Sequence, residues 1–151
     1  MDDRTVVERQ LGRPPRAFVR AAVRCPYGRP AVTEQAAFDE RGEPFPTTFY
    51  VTCRHLVAAL ARLEAAGGVE RWTRAAQDDP RLAASLARAD AQQRALRPEL
   101  PVGIGGSSRA GSLKCLHAHA AFALARPGYE LGERILTEAR PLWPAGGCCA
   151  A

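Results

Sequence analysis

No stretch of this 151-residue chain reaches the roughly 18 uninterrupted apolar residues of a membrane-spanning helix. The first residues carry Asp2, Asp3, Arg4, Glu8 and Arg9, which leaves no room for the apolar segment of a secretory signal. Lysine is almost missing: Lys114 stands alone, so arginine carries the net charge of +5. Those arginines are scattered, with no basic tract and no interleaved aromatics. The balance permits contact with nucleic acid without indicating it. There is no CxxC pair, which excludes the compact ligand spacing of zinc ribbons and ferredoxins. A Walker triplet and a GxGxxG turn are missing too. The expected compartment is the cytoplasm, where the five cysteines stay reduced and a disulfide framework is not expected.

What the chain does have is an ordinary globular composition, 46% hydrophobic and 25% charged, and a length suited to one domain spanning residues 1–151. Asp3 is placed to cap a helix that ends at Gly12, within an N-terminal segment of residues 1–12. Residues 17–24, 31–38 and 47–53 read as strands of a meander over 17–53. The turn Asp39-Glu40-Arg41-Gly42-Glu43-Pro44 makes the last two antiparallel. From Arg54 the apolar period becomes helical, with Leu56, Val57, Leu60 and Leu63 on one face. Further helices are expected at 69–79, 82–96, 113–125 and 131–140, followed by a loose tail over 141–151. The predicted class is α+β, with a small three-stranded antiparallel sheet packed against four or five helices.

Three cysteines fall at element ends. Cys25 follows the first strand, Cys53 joins the third strand to a helix, and Cys115 precedes the apolar helix. Thiolates at such positions suit a soft metal, because free backbone N–H groups stabilise negative sulfur. His117, His119, His55 or Cys148 is available as a fourth ligand. Helical geometry separates two of these. Cys115 and His119 share a face if both are helical, whereas pairing with His117 requires Cys115 to lie in the loop before the helix. The same cysteines also serve as small apolar core residues.

The glycine-rich loop ahead of that helix carries Gly105, Gly106, Ser107, Ser108 and Lys114, a candidate cradle for a phosphate-bearing ligand. A cysteine-dependent enzyme is a third reading, with Cys53 or Cys115 as nucleophile beside a histidine and Glu34, Asp39 or Glu133 orienting it.

The segments Arg24-Cys25-Pro26-Tyr27-Gly28-Arg29-Pro30, Pro46-Thr47-Thr48-Phe49-Tyr50-Val51-Thr52-Cys53 and Leu113-Lys114-Cys115-Leu116-His117-Ala118 resemble the uncharacterised bacterial family catalogued as domain of unknown function 501. The likeness runs from Leu11 to about Trp143. It singles out Cys25, Cys53, Lys114, Cys115 and His117, and Gly147-Cys148 resembles the tail of some members. Arg54 stands where the family usually has proline, and Phe122 where relatives can carry histidine. The resemblance implies no established activity. The leading expectation is a zinc or iron-sulfur site built from Cys25, Cys53, Cys115 and His117, with Cys148 and His119 as further candidates and no membrane partner.

Overall fold

A computed structural model describes residues 1–149 of the chain. Helix α1 (Asp3–Leu11) leads into strands β1 (Phe18–Arg24), β2 (Pro30–Gln35) and β3 (Phe49–Val51). Helices α2 (Arg54–Ala65), α3 (Gly68–Asp78), α4 (Pro80–Leu96), α5 (Leu116–Ala125) and α6 (Glu130–Glu138) follow, with one 3-10 turn, Ile104–Gly106, before α5. The fold is α+β. Ala150 and Ala151, the end of the expected tail, lie outside the described residues.

The sheet has the order β1-β2-β3, antiparallel throughout. Asp39 makes the predicted connection by accepting the N–H groups of Arg41 and Glu43 at 2.9 Å each, a local substitute for water that fixes the turn. Asp2, rather than Asp3, caps α1, accepting the Thr5 N–H at 2.8 Å. Asp3 is instead paired with Arg24 at the end of β1.

The core lies between the sheet and α5, whose residues from Leu116 to Ala123 are buried apart from His117. Phe122 stacks edge-on to Phe49 of β3 at 5.8 Å and to Tyr129 at 6.0 Å, joining sheet, α5 and α6. Glycine permits the close approach of α6 to α5. A Cβ on Gly132 of α6 would meet the Ala123 Cβ at 2.7 Å and the His119 carbonyl oxygen at 2.9 Å. Two polar residues anchor the loops around this core. Arg97 is buried and donates to the carbonyls of Phe45, at 2.7 Å, and Gln35. Asp90 accepts the Ile104 N–H at 2.9 Å. No helix among the described residues is long and apolar enough to cross a membrane.

Candidate metal centre

Helix α5 starts later than its apolar pattern predicts, at Leu116 rather than residue 113. Cys115 is its N-cap and has extended backbone, φ −155° and ψ 151°. Its sulfur accepts the Ala118 N–H at 3.4 Å. Because Cys115 precedes the helix instead of occupying it, its side chain reaches the same side as His117. The i to i+4 alternative fails for the same reason: His119 turns into the core.

The third member of this group is Glu64, in the last turn of α2. One carboxylate oxygen, Oε2, accepts the Leu116 N–H at 2.7 Å and lies 3.1 Å from His117 Nδ1. The other ring nitrogen, Nε2, is 3.2 Å from the Val57 carbonyl oxygen. A carbonyl only accepts, so that bond needs the proton on Nε2. With no second proton on the ring, the lone pair of Nδ1 would point toward a carboxylate oxygen. Two acceptors facing each other require a cation between them, either a proton or a metal ion.

Cys115 sulfur completes the set. Ligand atoms of Glu64, Cys115 and His117 all lie within 4.8 Å of one another, and no other three such residues do so among the described ones. Burial raises the Cys115 thiol above its ordinary value, and the Glu64 charge pushes in the same direction, against the N–H groups of Ala118 and His117 and the charge of Lys114. The thiol is therefore a weak nucleophile as it stands. Neither nitrogen of His117 is bonded to it.

Cys115 and His117 line a cavity of about 510 Å³ between α1, β3 and α2. Its wall is mixed. Phe49, Val51, Val57 and Ala58 supply apolar surface, and Arg13 and Arg54 supply charge. Arg54 donates to the carbonyl oxygens of Gln10, at 3.1 Å, and Arg9. Two more of the lining residues hold buried polar atoms without a protein partner, Gln10 Oε1 and Thr52 Oγ1. Such groups are costly to bury unpaired.

The other predicted site residues lie elsewhere. Cys25, Cys53, Cys115 and His117 do not form one cluster. Cys25 sulfur is 3.9 Å from Cys148, and Cys53 sulfur is 3.7 Å from Cys149, so each strand-end cysteine meets a cysteine of the tail. His119 is fully buried, its Nδ1 2.8 Å from the Tyr129 hydroxyl, and burial lowers its pKa to about 3. His55 donates from Nε2 to the Pro141 carbonyl at 2.7 Å.

In the glycine-rich loop, much of the backbone is already committed. The N–H groups of Gly103, Gly106 and Ser107 donate to loop carbonyls, and that of Ile104 goes to Asp90. Gly106, Ser107, Ser108 and Lys114 still border a depression of about 210 Å³ together with Arg109. Gly105 is not part of its wall. Glu64 and Cys149 are the participants that the sequence did not suggest. No spacing marks Glu64, which meets its partners across more than 50 residues. Cys149 had one signal, its adjacency to Cys148.

A family model described as protein of unknown function (DUF501) matches residues 21–101. That span holds the end of β1, all of β2 and β3, and α2, α3 and α4, and so includes Cys25, Cys53 and Glu64, while Cys115, His117 and the tail cysteines lie beyond it. No curated protein and no solved structure matches the chain. With more than half its length matched, and with the motifs around Cys25 and Cys53 inside the matched span, this chain belongs to the DUF501 family, whose function is unknown.

Proposed function

We propose that this protein binds a zinc-class divalent metal ion through Glu64, Cys115 and His117 and presents it to a small molecule in the adjoining cavity. The observation that carries this reading is the convergence of one oxygen, one sulfur and one nitrogen donor within 4.8 Å. Mixed O, S and N donation suits zinc, which takes all three at about 2.0–2.3 Å. A single thiolate argues against an iron-sulfur cluster, which needs several.

The Val57 carbonyl, by holding the proton on Nε2, leaves Nδ1 free to ligate and fixes the ring plane. An ion would take the place of the Cys115 proton and lie between Glu64 Oε2 and His117 Nδ1, which are 3.1 Å apart. Three protein ligands leave a fourth position open, the arrangement of sites that act on a substrate rather than sites that only brace a fold. Arg13, in the cavity wall, fits a small molecule with an anionic group. The Glu64 contact with the Leu116 N–H has a purely structural use as well, since a carboxylate stabilises a helix N-terminus.

Metal analysis of the full chain, together with zinc titration under reducing conditions, separates these uses. The proposal expects one ion per chain, with affinity reduced on the order of tenfold or more in Cys115→Ser and Glu64→Gln. Unchanged zinc affinity in both variants would leave only the helix-capping role.

A further inference from the structure

The four remaining cysteines form two contacts that the metal reading does not use. Cys25 and Cys53 lie at the same end of the sheet on either side of β2: the Cys25 N–H bonds the Arg29 carbonyl at 2.9 Å and the Cys53 N–H bonds that of Ala31 at 3.3 Å. The tail returns to this edge and is held there by polar contacts that do not involve sulfur. Tyr27 donates its hydroxyl to the Pro144 carbonyl, and His55 donates to that of Pro141. Consecutive tail residues then reach different partners, Cys148 going to Cys25 and Cys149 to Cys53.

Both sulfur pairs are in van der Waals contact, and neither has a third ligand atom from a described His, Cys, Asp or Glu within 4.8 Å of both sulfurs. A thiolate-bound zinc ion needs three or four protein ligands, whereas disulfide formation needs two sulfurs. The arrangement therefore suits pairwise oxidation.

We propose that Cys149 and Cys53 form an oxidation site for hydroperoxides, with Cys149 attacked first and Cys53 closing the disulfide. The Cys149 thiolate attacks the distal oxygen of the hydroperoxide. The S–O bond forms, the O–O bond breaks, and the leaving oxygen departs as water or alcohol after taking up a proton. Cys53 then attacks the sulfur of the resulting sulfenic acid, and the S–S bond forms as a second oxygen leaves as water. Two thiols and one hydroperoxide give one disulfide, one water, and one further water or alcohol.

The two sulfurs are suited to different parts of this sequence. Cys149 is exposed, and Cys53 is buried at the N-cap of α2. Burial raises Cys149, but the N–H groups of His55 and Arg54 at the α2 N-terminus and the Cys53 thiol outweigh it, so its net shift is downward. Burial is also the main influence on Cys53 and, with the neighbouring Cys149 charge, pushes it up to about 11. An accessible thiol of lowered pKa beside a buried thiol of raised pKa is the usual arrangement of a peroxide-sensitive pair.

The test treats the reduced full chain with one equivalent of hydrogen peroxide and maps the cross-links by mass spectrometry. A Cys53–Cys149 link is expected to form first, and in Cys53→Ser a sulfenic-acid probe is expected to label Cys149. Serine is a favoured N-cap, so that substitution suits the fold, and Cys149→Ser changes an exposed position. Cys149→Ser should slow loss of the first thiol on the order of tenfold or more without changing zinc stoichiometry. Initial labelling of Cys25 or Cys115, a first link between other cysteines, or thiols that resist peroxide until a chelator is added would each overturn the proposal.

Discussion

Gly132→Ala reverses sign according to which of two effects is larger, which makes it a sharp test of how α5 is held. In an unconstrained helix the substitution stabilises by about 1 kcal/mol, because alanine loses less backbone freedom. Here the added Cβ would lie 2.7 Å from both the Ala123 Cβ and the Tyr129 Cδ2, and 2.9 Å from the His119 carbonyl oxygen. Tyr129 can rotate slightly. A backbone oxygen and a methyl on the facing helix cannot yield unless α5 and α6 separate. Overpacking of this kind costs about 1–3 kcal/mol, and contact with backbone places it toward the upper end. The net expectation is a loss of roughly 1–2 kcal/mol, or about 2–8 °C in Tm for a domain of this size. Differential scanning calorimetry of the wild type and variant at pH 7 measures it. A Tm raised by a few degrees would show that the α5–α6 contact is looser than a 2.7 Å approach to the Ala123 Cβ requires, and with it the support behind Cys115 and His117.

Two further perturbations follow from buried polar groups. His119 is buried as the neutral ring with a folded pKa near 3, against about 6.5 unfolded, so the unfolded chain takes up a proton that the folded one refuses. Its contribution is therefore complete above about pH 6.5 and is lost as pH falls toward 3, roughly 2 kcal/mol by pH 5. Urea titrations at pH 7 and pH 5 should show His119→Gln with a pH dependence smaller by that amount. Equal dependence in the two proteins would refute a neutral buried ring. Arg97→Met removes the donors to the Phe45 and Gln35 carbonyls and should cost on the order of 3 kcal/mol by urea unfolding, whereas a loss under 1 kcal/mol would mean that water takes over both carbonyls.

The fold was largely legible because its signals are local. β3 is rich in the residue types that strands favour, Asp39 nucleates its own turn, and Pro80 stands at the first position of α4, where its missing N–H costs nothing. The candidate site was legible only in part. Helical geometry ties the choice between His117 and His119 to whether Cys115 is inside the helix, but apolar periodicity extends α5 back to residue 113 and cannot reveal the extended N-cap. Cys25 and Cys53 do reach one sheet edge, as the meander implies, yet their partners come from a Gly-rich tail whose return path has no periodic signal. Glu64 escaped notice for another reason. On the sequence it is one more acid on a helix, and only the packing of α2 against the start of α5 gives it partners.

Cobalt substitution tests the proposed metal centre most directly, because a thiolate bound to cobalt(II) gives a charge-transfer absorption and tetrahedral coordination gives intense visible bands. Titration of the reduced chain should produce both with an end point at one ion. The bands should persist when Cys25, Cys53, Cys148 and Cys149 are all replaced by serine and vanish in Cys115→Ser. Bands that survive the loss of Cys115, or that require the four tail-contact cysteines, would contradict a metal held by Glu64, Cys115 and His117.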